Sequence, residues 1–148
     1  MILDDEKEIG AAVRDLSTIA VLGVKDKEGE VAHDIPAMLA GLGARIIPIN
    51  PHIQRFLGQP VLARIGDLAE KVDCLDVFRR IEAIPGHVDE ILALPSELRP
   101  RGVWLQSGIV HEQAAQRLAD AGIWVVQDRC LGVYARRYGV RKIGTTNA

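Results

Sequence analysis

Residues 18–42, TIAVLGVKDKEGEVAHDIPAMLAGL, restrict the fold more than any other stretch of the chain. An apolar run, Thr18-Ile19-Ala20-Val21-Leu22, stops at Gly23 and gives way to a charged loop and then to a helical segment that ends before Gly43. A run this short and this apolar reads as a buried strand. Strand, loop and helix in that order form the opening unit of a nucleotide-binding α/β fold, where a phosphate can sit on the exposed N–H groups of the helix start. Proline is easily placed in a first helical turn and costly deeper in. Pro36 therefore puts the helix start within residues 32–35, with Asp34 as a candidate cap.

The alternation continues. Asp4, Asp5 and Glu6 suit a helix N-terminus, and Ile9, Ala12, Val13 and Leu16 recur at helical spacing, so the spacing predicts a helix over 4–16. A second strand covers 44–49, with Pro48 at its end or on an unpaired side, since proline removes a ladder donor. Residues 56–62 are expected to form a turn and a short extended piece, and 65–71 a short helix or turn. Strand three is 73–78, followed by a helix over 87–94. Strand four begins at 103, a helix covers 111–121, and strand five is 123–126. The end, 134–148, is basic at first (Arg136, Arg137, Arg141, Lys142) and is expected to fray. This pattern predicts a single α/β domain over 1–148, doubly wound around a parallel five-stranded sheet, with a helix inside 1–17 and a tail at 139–148. With only 4% aromatic residues, the core must be built of Val, Ile, Leu and Ala, which suits a sheet covered on both faces.

The totals exclude several function classes. A net charge of −2 does not give the basic field of a nucleic-acid binder. No apolar run approaches a membrane span, and the acidic start has no signal core. Cys74 and Cys130 stand in no CxxC or metal-type spacing, so a reducing, cytoplasmic setting is expected.

Ligands of such sheets bind beyond the carboxyl ends of the strands. Those ends carry Gly23-Val24-Lys25, Asn50-Pro51, Phe78-Arg79, Gln106-Ser107-Gly108 and Asp128-Arg129-Cys130. A nicotinamide oxidoreductase is an alternative, but there is no G-x-G-x-x-G, and no acidic residue from Ile35 to Gly66 to hold a ribose. Catalysis has little support. Cys130 beside Arg129 could be an activated thiol, or simply a small residue at a strand exit. His111 and Glu112, near Ser107, lack the spacing of a triad, and His111 reads as a helix-start residue. Asp73 and Asp76 fall on opposite faces of a strand. A non-enzymatic binding module is the expectation.

The segments VLGVKDK, ARIIPINP, LGQPVL, DCLDVFRR, GVWLQSGI, HEQAAQRLADAGIWVV and QDRCLGVY resemble, in order, the small stand-alone coenzyme A-binding domain proteins, over about residues 18–134. They are also similar to the N-terminal domain of the succinyl-CoA synthetase α subunit. The resemblance implies a Rossmann-like sheet of order 3-2-1-4-5 and a site for coenzyme A (CoA) or a short acyl-CoA. It implies that Gly23, Val24 and Lys25 face the phosphates, with Lys27 near the 3′-phosphate or pyrophosphate. Pro48, Asn50 and Pro51 flank the adenosine, and Phe78 with Arg79 line the middle of the ligand. Gln106, Ser107 and Gly108 meet the pantetheine, and Arg129 with Cys130 close the far edge. Relatives often carry a Ser, an Arg and a further Ser in the first loop, where this chain has Lys25, Glu30 and Ala32. The synthetase's second domain has no counterpart here. A homo-oligomer or a ligase-type protein partner is the implied assembly.

Overall fold

The computed structural model describes residues 1–142; the rest of the expected tail, 143–148, lies outside the described residues. Helix α1 (Glu6–Arg14) is capped by Asp5, whose side chain accepts the Glu8 N–H. It leads into β1 (Thr18–Leu22). Helix α2 (Val31–Gly41) and strand β2 (Arg45–Ile49) complete the first unit. A two-stranded hairpin follows, β3 (Arg55–Phe56) against β4 (Gln59–Pro60), turning through Leu57 and Gly58. Strand β5 (Cys74–Val77), helix α3 (Ile84–Ala93), strand β6 (Gly102–Leu105), helix α4 (Glu112–Asp120), strand β7 (Trp124–Val126) and helix α5 (Leu131–Tyr138) finish the fold. Short 3₁₀ turns stand at Ile65–Asp67, Ile81–Ala83 and Ser96–Leu98.

All five main strands are parallel, in the order β2-β1-β5-β6-β7. Numbered among themselves these strands run 2-1-3-4-5, against the expected 3-2-1-4-5, and no strand of this sheet lies outside β2 among the described residues. The residue in that outer place is Leu62, which makes a single parallel bridge to Ile49. The numbering differs; the reversal of winding at β1 is common to both. Pro48 sits within β2, and its carbonyl accepts the Leu62 N–H. Its ring nitrogen therefore points to the outer edge, and no bond to β1 is lost.

Alternate residues of each strand feed two cores. Ala20, Leu22, Leu75, Val77, Val103, Leu105 and Val125 pack under α3 and α4. Ile19, Val21, Cys74, Trp104 and Val126 pack under α1, α2 and α5. Trp104 is wholly buried, donates its indole N–H to the Arg129 carbonyl at 2.7 Å, and meets the edge of Tyr134.

Two expectations are corrected. Residues 134–138, expected within the fraying end, are instead helical: α5 places Leu131, Tyr134 and Ala135 in the core, and the Tyr134 hydroxyl donates to Glu6 of α1. The spacing of these three residues and Tyr138 at i, i+3, i+4, i+7 carries that helix. Helix α2 begins at Val31, so Pro36 lies inside it. The cost of an interior proline is the unclaimed carbonyl four residues back. Here that carbonyl, Ala32, accepts the Lys25 N–H at 3.2 Å. The proline thus ties the loop after β1 to the helix that follows it.

Candidate functional site

The chain leaves β1 for β2 on one side and returns to β5 on the other, so the carboxyl ends of β1 and β5 diverge into a crevice. A cleft of about 1100 Å³ opens there. Its lining comes from every strand exit except that of β2: Gly23, Lys25 and Val31 from the β1 side, residues 78–80, 82 and 83 after β5, Gln106, Ser107 and Ile109 after β6, and Cys130 after β7.

Gly23 has φ +91°, and a Cβ there would lie 2.3 Å from the Phe78 carbonyl oxygen and 3.1 Å from the Arg79 Cδ. Glycine therefore lets the β5 exit pass directly against the β1 exit, bringing the Arg79 side chain beside the Lys25 loop. Lys25, Arg79 and Arg80 make no side-chain hydrogen bond or ion pair among the described residues. Glu82 is the one acidic side chain lining the cleft. The start of α2 carries acids of its own: Glu30 stands at the N-cap position without a side-chain cap bond, and Asp34 accepts the Gly29 N–H of the preceding loop. That hydrogen bond and the one with His33, the larger influence, hold the Asp34 carboxyl below its usual range.

Seven of the residues expected at the site line the cleft: Gly23, Lys25, Phe78, Arg79, Gln106, Ser107 and Cys130. The others are placed differently. Val24 is fully buried in the core under α2, leaving only its backbone near the loop. Lys27 is exposed on the loop outside the lining. Pro48 is buried in β2, and Asn50 is a buried tether that donates to the Val24 carbonyl and accepts the His52 N–H, both at 2.7 Å. Pro51 is exposed in the turn beyond. The Gly108 N–H is held by Asp128. The Arg129 guanidinium is directed to Gln127, Tyr134 and the Asp4 carbonyl, so it braces α5 and the N-terminal segment instead of closing the cleft. Sequence reasoning missed Val31, Arg80, Glu82, Ala83 and Ile109. Arg80 was legible as the second cation of the RR pair, but the 3₁₀ turn that brings Glu82 and Ala83 inward carries no such mark.

Beneath the cleft lies a group that the sequence also hides. Asp76 is entirely buried, its Oδ1 has no partner, and its Oδ2 accepts a long bond of 3.5 Å from the Gln106 amide. Gln106 in turn accepts the Leu131 N–H, the first of α5, and so joins the cleft floor to that helix. Burial pushes the Asp76 carboxyl well above its usual range, so the neutral acid is the form the fold holds. An unfolded aspartate ionises near pH ~3.9, so the folded chain keeps a proton that the unfolded chain loses, and stability falls as pH rises above that value. The isosteric Asp76→Asn has no such penalty. In urea melts it gains stability over the parent progressively from acid to neutral pH; parallel pH profiles would mean that Asp76 ionises in the fold as freely as in the open chain.

Two further candidate groups have structural duties. His111 caps α4, its Nδ1 accepting the Ala114 N–H at 3.1 Å, so it is not presented to Ser107 as a base. Asp73 accepts the Ser17 and Thr18 N–H groups and faces Arg101 at the opposite edge of the sheet. Among the described residues no group of His, Cys, Asp and Glu side chains could hold a metal ion, and no helix is long and apolar enough to cross a membrane.

Comparison with known proteins agrees with this geometry. A Bacillus subtilis protein, YneT, is 32% identical over 126 residues, covering 85% of this chain and 90% of its own. A Thermus thermophilus protein of known structure is 42% identical, with a TM-score of 0.83 over 91% of this chain and 99% of its own. The dinucleotide-forming acetyl-coenzyme A synthetase 1 of Ca. Korarchaeum cryptofilum shares the fold at 18% identity and a TM-score of 0.65, matching 83% of this chain but only 27% of the synthetase. The model of the CoA binding domain matches residues 17–136, which include every strand of the sheet and every residue lining the cleft, and the chain belongs to that family.

Proposed function

We propose that this protein binds coenzyme A, or a short acyl-CoA, in the cleft at the strand ends, as a module without chemistry of its own. One observation carries the reading: Lys25, Arg79 and Arg80 line one end of a cleft, and none of them forms an ion pair among the described residues. Uncompensated cations in a concave site call for a polyanion, and guanidinium groups match phosphate oxygens in particular. CoA presents a pyrophosphate and a 3′-phosphate at one end and a long, nearly neutral pantetheine arm at the other. Membership of the CoA binding domain family supports CoA as that ligand, and the cations supply a reason for it to stay. The reading without a reaction rests on Ser107 and Cys130, neither of whose side chains is hydrogen-bonded to a base among the described residues.

Thermal unfolding tests this directly, since a ligand that binds only the folded chain raises its melting temperature. Millimolar CoA is expected to raise the midpoint by several degrees, with NADP and ATP leaving it nearly unchanged. An equal shift with NADP would put the oxidoreductase reading in its place. A second reading, a subunit of an acyl-CoA synthetase-like assembly, is favoured by the match of this chain to about a quarter of a synthetase. Co-purification with a ligase-domain protein supports it, and a lone homo-oligomer in native mass spectrometry counts against it.

A further inference from the structure

Resting on that reading of the cleft, we infer that the acyl group accepted with CoA is short and uncharged, and that dicarboxylic acyl-CoA esters are discriminated against. The strand order carries the argument. The cleft follows the sheet from β1 through β5 and β6 to β7, and its charge changes along that line. The three cations of the lining, Lys25, Arg79 and Arg80, lie over β1 and β5. Phosphates held there direct the pantetheine toward β6 and β7.

That far end has no cation in its lining among the described residues. Its lining is Gln106, Ser107, Ile109 and Cys130. Arg129 is the one basic residue in the sequence between Ile109 and α5 that borders this end, and its guanidinium is bound to the Gln127 and Asp4 carbonyls and the Tyr134 hydroxyl. The first N–H of α5, which could attract an anion, is already taken by Gln106. Asp128 instead supplies a negative charge there: it is exposed, and its Oδ1 accepts the Gly108 N–H at 2.6 Å, so the carboxylate is fixed between the β6 and β7 exits. Apolar side chains adjoin it, with Ile109 in the lining and its chain neighbour Val110 exposed. A free carboxylate on the acyl group would meet Asp128 without a counter-ion. A butyryl group would meet Ile109.

The test is calorimetric titration of the full chain, at one ionic strength, with CoA, butyryl-CoA and succinyl-CoA. Butyryl-CoA is expected to bind at least as tightly as CoA, and succinyl-CoA about tenfold more weakly, the scale of one like-charge contact in a partly solvated site. Asp128→Asn keeps the acceptor for Gly108 and a residue type that tolerates the φ of +57°, so it should bring succinyl-CoA toward CoA while leaving butyryl-CoA unchanged. Succinyl-CoA binding as tightly as butyryl-CoA in the parent protein overturns the inference and leaves CoA binding intact. Failure of all three compounds to bind overturns the reading of the cleft itself, and this inference with it.

Discussion

Replacing Arg79 and Arg80 together with alanine is expected to weaken CoA binding by about a hundredfold or more, because a hydrogen bond to a charged group contributes roughly 1.5–3 kcal/mol. The lower end is the better guide, since Arg80 is exposed and its contact is shared with water. Neither guanidinium pairs with any described residue, so the melting temperature of the free protein should barely move. That separation is what makes the experiment decisive. A variant that melts with the parent but no longer binds assigns the cations to the ligand. One that binds as the parent does would place the phosphates elsewhere, and the α2 start, for all its acidic residues, would become the better candidate.

Gly23→Ala is expected to damage the fold and the site at once. Its φ of +91° is strained for any side chain, and its Cβ would enter the Phe78 carbonyl at 2.3 Å, a backbone atom that cannot rotate away. Overpacking and an unfavourable φ together cost about 3 kcal/mol or more, a large part of a typical domain's stability. The strands on either side of the clash are β1 and β5, so relief would spread them and carry Arg79 away from Lys25. Urea denaturation should record the loss, and whatever folded protein remains should bind CoA more weakly. Parent-like stability would mean that the β5 exit yields easily and that the close approach is not a requirement of the fold.

How far the sequence speaks depends on the kind of signal. The strands were legible because an open parallel sheet writes itself as short apolar runs between helices, and the two-core alternation follows from the pleat. The cleft's position followed from the same rule about strand ends, and Gly23 marked its β1 end. What stayed hidden was set by partners far away in the chain. Arg129 looks like a site residue until Tyr134 and the Asp4 carbonyl claim it. Pro36 looks like a helix boundary until Lys25 takes the carbonyl it frees. Asn50 looks like a ligand contact and is a tether for Val24. Asp76 was read only for its strand face, while its burial and its link to Gln106 depend on two neighbouring strands and a helix. Helix α5 was passed over because its arginines drew the eye from Leu131, Tyr134 and Ala135.

The central claim is that this cleft holds CoA by its phosphates. Its most direct test is calorimetric titration of the purified protein with CoA beside dephospho-CoA, each at low and at physiological salt. The account predicts one-to-one binding in the micromolar range that weakens when the 3′-phosphate is removed and weakens again as salt screens the cations. Equal binding of the two compounds, with no dependence on salt, would contradict it.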